Sequence, residues 1–217
     1  MTKTKIAVFV SGGGTNLQAL IDAQAAGILH SGEIVLVVAS QPTAYALERA
    51  KKAGIKGVVC SKKALGGQEA FEAAISAALK EHGIELIILA GFMSILSEEF
   101  TKQWPERIIN IHPSLIPSFC GKGYYGLRVH EEALAYGVKV TGATVHFVNE
   151  IPDGGKIIAQ KAVEILDDDT PEILQRRVME QAEWILLPQA IDDIANNRIC
   201  VVDGKVKRNQ KQLDLNN

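Results

Sequence analysis

The residues in this chain best suited to chemistry are an amide and an imidazole two positions apart, Asn110 and His112, in the segment ERIINIHPSLIP at 106–117. A short apolar run from Ile108 to Ile111 carries the amide and empties into His112, which Pro113 fixes on its far side. Side chains alternate in direction along an extended strand, so Asn110 and His112 share a face. A strand ending at the carboxyl edge of an open α/β sheet delivers its last side chains into the crevice where such sheets bind ligands. There an amide can donate to a developing oxyanion while an imidazole moves a proton. That combination suits a carbonyl passing through a tetrahedral intermediate. A lone buried Asn or His is more often structural, but the pair at a strand end, followed by Pro113 and Pro117, favours chemistry.

A second candidate is SGGGTN, Ser11 to Asn16, between the first strand and the first helix. Its glycines let the backbone approach a ligand closely, and the following helix offers unpaired N–H groups and the positive end of its dipole, which suits a phosphate. A dinucleotide fingerprint would need a third glycine where Leu17 stands, and the P-loop lysine is missing too. The loop is therefore either a tight turn or a cradle for a nucleotide monophosphate or sugar phosphate, rather than for NAD.

Two further stretches have both a bland and a functional reading. IPDGG, Ile151 to Gly155, is ordinary turn chemistry. If it folds back over the crevice, however, Asp153 holds the His112 ring and raises its pKa. ILAGFMSIL, Ile88 to Leu96, is either plain core or the wall of a slot for a flat heterocycle. His130 and His146 are weaker candidates: neither forms a metal-ligand pattern with His112, and His146 is compatible with an edge strand. No metal is expected.

The elements that must position these residues alternate between short β-rich runs and longer helical patterns: 5–10, 17–25, 34–39, 45–53, 56–59, 69–82, 86–90 and 108–111. That alternation predicts βαβ units around an open, mostly parallel, Rossmann-like sheet with helices on both faces. After Pro117 comes a Gly- and Tyr-rich loop, SFCGKGYYGLRVHE. Runs at 140–148 and 156–163, separated by NEIPDGG, then predict an antiparallel C-terminal hairpin. Thr170 as cap, Pro171 at the first helical position and Glu172 in the first turn predict a last helix running through Trp184 towards Asp193, with Pro188 marking a kink or break.

With 217 residues the chain fits one large domain, and 23 basic against 25 acidic side chains give no nucleic-acid footprint. The longest apolar stretch, Ile84 to Leu96, is too short and interrupted to span a bilayer, and MTKTKIAVFV lacks a small-residue cleavage site. Cys60, Cys120 and Cys200 are scattered and odd in number, which points away from zinc or a disulfide framework and towards a cytoplasmic protein.

Taken in order and at these separations, SGGGTN, LAGFMSIL, NIHPSLIP and IPDGG resemble the folate-dependent formyltransferases over nearly the whole chain, and most closely the members that act on glycinamide ribonucleotide. The N-x-H pair with a later D-G-G is the specific part. The resemblance implies a single domain over 1–217, with a nucleotide-binding βα half at 1–117 and a part at 118–217 that completes the folate site. Methionyl-tRNA formyltransferase resembles this core but carries a further C-terminal domain, and formyltetrahydrofolate hydrolase an N-terminal regulatory one; neither is expected here. The implied reaction moves the formyl group of 10-formyltetrahydrofolate to the amine of glycinamide ribonucleotide. Both are small-molecule partners, with no nucleic acid or membrane involved. Asn110, His112 and Asp153 match the catalytic trio. Gly13, Gly14, Thr15 and Asn16 match the ribonucleotide phosphate loop, and Glu183 matches an acidic residue that contacts the ribose. Met93, Ser94, Ile95, Leu96, Asn110, Asn149 and Ile151 match the folate pocket, as does Gln68. At Gln68 and Ser94 relatives often show arginine. Cys120 resembles a nucleophile, but this reaction needs none from the protein. The rival readings are a hydrolase that releases formate without an acceptor and, outside the family, an NAD-dependent protein.

Overall fold

The computed structural model describes residues 3–209, and these form two compact units that divide between Asn110 and Ile111. In the first unit β1 (Thr4–Val10), β2 (Gly32–Ala39), β3 (Lys56–Val59), β4 (Leu86–Leu89) and β5 (Ile108–His112) lie in the order β3-β2-β1-β4-β5. Every described pairing among them is parallel. The helices between them are α1 (Thr15–Ala25), α2 (Ala46–Lys52), α3 (Lys62–Leu65), α4 (Gln68–Glu81) and α5 (Glu98–Lys102). β1 lies between two parallel neighbours, and residues 6–10 are fully buried, as a strand covered on both faces must be. On α4, Phe71, Ile75 and Leu79 repeat every fourth position and are all buried. Each contributes about 1.5–3 kcal/mol through burial.

The second unit takes the end of β5, with β6 (Val140–Phe147) beside it and β7 (Ile157–Glu164) beyond β6. β6 and β7 are antiparallel, with a register shift between Val145 and His146. Helix α6 (Leu127–Tyr136) precedes them; α7 (Pro171–Val178), a π-helical turn (Met179–Glu183) and α8 (Trp184–Ala195) follow. The last elements, β8 (Ile199–Val202) and β9 (Lys205–Arg208), form a separate antiparallel pair.

The mostly parallel α/β sheet and the antiparallel β6–β7 hairpin are those expected from the sequence. Four features differ. The stretch LRVHEEALAY is helix α6 rather than the tail of a loop, and α3 and α5 add short helices. The β8–β9 hairpin, absent from the expected elements, turns on Asp203-Gly204, a strong local hairpin signal. Pro188 does not break the last helix: α8 continues through it, and a π turn precedes α8. No described helix is long and apolar enough to cross a membrane.

Candidate active site

In the first unit the SGGGTN turn carries the chain from β1 into α1. Ser11 ties the ends of three strands together: its hydroxyl accepts from Met93 N at 2.8 Å and from Ser40 Oγ at 2.7 Å, and its carbonyl accepts from Gln41 Nε2 at 2.5 Å. Gly14 is the N-cap of α1, with φ of 70° and ψ of 40°, a left-handed conformation that favours glycine. A Cβ there would lie 2.7 Å from Ala46 Cβ, so the position also lacks room. Gly13 and Thr15 are exposed, and Gly14 and Asn16 half-buried.

The ILAGFMSIL stretch divides its side chains. Phe92 packs edge-on to Phe9, with ring centroids 5.1 Å apart, and Leu96 is buried, whereas Met93 and Ile95 are 53% and 66% exposed. An apolar loop that leaves two large side chains open is not plain core. Gln68, at the start of α4, donates to the Ile95 carbonyl at 3.1 Å and to Glu72 Oε1 at 2.5 Å. Ser94 is half-buried beside Met93.

The second unit gathers the ionisable groups. His112 Nδ1 lies 3.5 Å from Asp153 Oδ2, and its Nε2 is 2.9 Å from the Phe119 carbonyl. His146, on β6, places Nε2 3.5 Å from Asp153 Oδ1 and Nδ1 2.8 Å from the Phe147 carbonyl. Gly121 N–H donates to Asp153 Oδ2 at 2.8 Å. From sequence alone His146 is a weak candidate compatible with an edge strand; in the fold β7 lies outside β6, and the ring is buried against the carboxylate.

Local chemistry explains the placement. Beyond His112, the Ser114 hydroxyl donates to the Ser118 carbonyl at 2.6 Å, and Thr144 Oγ1 donates to the Ser114 carbonyl at 2.6 Å while accepting from Ile116 N at 3.1 Å. Ser114 and Thr144 are completely buried, so these bonds are undiluted by water. Phe119 and Asp153 both adopt positive φ, 48° and 55°. Such backbone strain gathers at functional sites and needs surrounding contacts to hold it. Phe119 has Tyr124 and Tyr136 edge-on, at 6.4 and 6.0 Å. The IPDGG turn needs glycine at 155, since a Cβ would lie 1.7 Å from the Phe147 carbonyl. Asn149 Oδ1 accepts from Ile151 N at 3.1 Å, and the Ile151 side chain stays exposed.

The electrostatics set burial against pairing. Both His112 ring nitrogens face acceptors, so a neutral ring can donate to only one of them and the doubly protonated ring donates to both. Burial opposes that charge and outweighs the Asp153 carboxylate and the Phe119 carbonyl, which leaves the His112 pKa below its ordinary value. This corrects the expectation of a raised value: the carboxylate does push upwards, but desolvation is larger. For Asp153, burial raises the pKa, but His146, His112 and the Gly121 N–H together outweigh it and leave it lowered. His130 is buried on α6 with neither ring nitrogen hydrogen-bonded, and burial with the nearby His112 pushes it down to about 4. It is therefore neutral at pH 7 and a poor proton donor. Burial and Asp153 both raise the Cys120 thiol, which suppresses its thiolate.

Asn110 is half-buried on β5, two residues before His112 on the same strand face. Glu183 closes the π turn and is 3% exposed. A carboxylate so buried is costly unless it is partnered, and π turns recur at functional positions.

Among known proteins, the formyl transferase family model matches residues 4–191. The chain is 44% identical over 205 residues to the trifunctional purine biosynthetic protein adenosine-3 of Gallus gallus, covering 94% of this chain and 20% of that protein. It is 36% identical over 198 residues to the chloroplastic phosphoribosylglycinamide formyltransferase of Arabidopsis thaliana, covering 91% of this chain and 67% of that one. The trifunctional relatives are much longer, and the chain spans 14% to 20% of their length. The crystal structure of glycinamide ribonucleotide transformylase 1 from Symbiobacterium toebii superposes with a TM-score of 0.88 at 39% identity, covering 95% of this chain and 94% of that one. A family match over most of the sequence and a solved fold that fits it almost end to end agree with one another: the chain belongs to the formyl transferase family.

Proposed function

We propose that this protein transfers the formyl group of 10-formyltetrahydrofolate to the amine of glycinamide ribonucleotide, a step of purine biosynthesis. The observation that carries the reading is the pairing of the buried His112 with Asp153, at the end of the strand that presents Asn110. It occurs in a chain 39% identical to a glycinamide ribonucleotide transformylase over nearly its whole length.

The substrate amine supplies the nucleophile. Its lone pair attacks the formyl carbon, a C–N bond forms, and the carbonyl oxygen becomes an oxyanion. Asn110 donates an N–H to that oxygen, and His112 stabilises it or passes a proton to N10 of the folate. The C–N10 bond then breaks, and the proton lost by the attacking amine balances the one gained at N10. Asp153 orients His112 and favours its charged form. Gly13, Gly14, Thr15 and Asn16 receive the phosphate, Glu183 the ribose, and the folate lies against Met93, Ser94, Ile95, Leu96, Asn149 and Ile151. Gln68, already engaged with Ile95 and Glu72, takes the position of a folate-tail contact.

The folate acts as a co-substrate consumed in each turnover. Both substrates are small molecules, and the unpaired Cys60, Cys120 and Cys200 support a reducing, cytoplasmic setting. We read residues 1–217 as one catalytic domain. The deciding experiment is a formyl-transfer assay with glycinamide ribonucleotide present and absent. Product that depends on the ribonucleotide supports the proposal; formate release without an acceptor replaces it with a hydrolase.

A further inference from the structure

Arg49, on α2 in the first unit, has no part in the roles assigned above. Its Nε–H donates to the Gly13 carbonyl at 2.8 Å, its Nη1–H donates to Gln18 Oε1 at 3.0 Å, and its guanidinium carbon lies 5.1 Å from the Tyr45 ring centroid. Gln18 is itself oriented, because its Nε2 donates to Asp22 Oδ1 at 2.9 Å. Among the described residues Arg49 makes no ion pair. Three contacts therefore fix a guanidinium whose charge no carboxylate compensates.

The same helix takes the preceding carbonyl, since Ala46 N–H donates to Gly12 O at 3.2 Å. In a trans peptide the C=O and the following N–H point in opposite directions. Turning the Gly12 and Gly13 carbonyls towards α2 therefore turns the Gly13 and Gly14 amides away from it. Neither amide donates to another described residue. The left-handed Gly14, pressed against Ala46, holds this arrangement where α1 begins.

We propose that Arg49 is a positioning residue for the ribonucleotide phosphate: it grips the Gly13 carbonyl so that the Gly13 and Gly14 amides form a two-donor cradle on the face of the loop turned away from α2. The inference rests on SGGGTN being the phosphate loop of the proposed reaction. It also implies that lysine cannot replace arginine, because an ammonium has no planar fork to hold Gly13 and Gln18 together while stacking on Tyr45.

The test titrates ribose 5-phosphate into wild type, Arg49→Gln and Arg49→Lys, with Gly13 and Gly14 amide resonances as the readout, and measures steady-state kinetics on the same proteins. In wild type both amides should shift on binding. Both variants should bind about tenfold more weakly or worse, as expected for losing a charge-assisted hydrogen bond. KM for glycinamide ribonucleotide should rise by a similar factor, while kcat and KM for the folate stay within about twofold of wild type. Wild-type amides that do not move overturn the proposal, and this arm holds even if the variants fail to fold. Normal binding by Arg49→Lys, or an equal rise in both KM values, also overturns it. A wild-type protein that binds ribose 5-phosphate through these amides yet formylates no ribonucleotide sinks the proposed reaction; the titration still decides the role of Arg49.

Discussion

His112 and His146 share one carboxylate: Asp153 Oδ2 faces His112 and Oδ1 faces His146, each at 3.5 Å. Each histidine also turns its other ring nitrogen to a backbone carbonyl, so the carboxylate is flanked by two rings whose orientations are fixed from behind. For His112 the negative charge favours the proton, against the burial that disfavours it.

Asp153→Asn keeps the turn and removes the charge. We expect the His112 pKa to fall further, so that the protonated ring is populated only at lower pH. Activity near neutrality should drop by roughly 10²- to 10⁴-fold, the contribution of a positioned acid or base, with the residual activity peaking at more acidic pH. A pH–rate profile beside a histidine NMR titration checks this; unchanged His112 titration with near-normal turnover would return Asp153 to the role of a turn residue.

His146→Leu removes one of the groups that hold the Asp153 pKa down. Its pKa should therefore rise, and any limb of the pH–rate profile that reports Asp153 should move to higher pH. The loss of turnover at pH 7 should be smaller than for Asp153→Asn, because the carboxylate remains ionised there. A profile superimposable on the wild type would show that His146 only packs.

Lowered in the folded state, the Asp153 pKa also links stability to pH. Its contribution is fully present above the unfolded carboxylate value of about 3.9 and is lost as pH falls through the lower folded value. Acid unfolding of wild type and Asp153→Asn, followed by circular dichroism, should converge at the lowest pH and diverge above about pH 4. Parallel curves across the whole range would contradict the linkage.

Asn110→Ala should leave the fold intact and reduce turnover by about 10²- to 10³-fold, the usual cost of losing one oxyanion donor. Retention of more than roughly a third of wild-type turnover by a folded variant would exclude that role.

Gly14→Val forces a branched side chain into a left-handed position, 2.7 Å from Ala46 Cβ at its first atom. We expect KM for the ribonucleotide to rise far more than KM for the folate, with thermal unfolding recorded alongside. Equal rises would detach this loop from the phosphate.

Much of the parallel sheet was legible because strands buried on both faces read as unbroken apolar runs, as at Ile6 to Val10 and Leu86 to Leu89. Asn110 and His112 were legible because a period of two and a following proline are local signals. Asp153 had no local signal to separate it from a turn residue; its meaning comes from the fold that carries it to His112. His146 was harder still, since its partner lies seven positions on, across a hairpin loop, and a single buried histidine is ordinary. Helix α6 was hidden by the glycines and tyrosines just before it, although Val129, His130 and Ala133 form its buried stripe. The lowered His112 pKa was out of reach, because it depends on how much burial surrounds the ring, and composition does not record that.

The loop at 118–126 meets the ionisable pair through its main chain: the Phe119 carbonyl takes His112, and the Gly121 amide takes Asp153. A group presented by the backbone does not depend on what a side chain carries, although the positive φ of Phe119 and Gly121 limits which residues hold this path. Side-chain scanning of this segment will therefore under-report it; Cys120→Ser, for instance, should pass a screen for activity unnoticed. Backbone editing would not. An ester in place of the Gly121 amide, which deletes that one N–H, should register where Cys120→Ser stays silent.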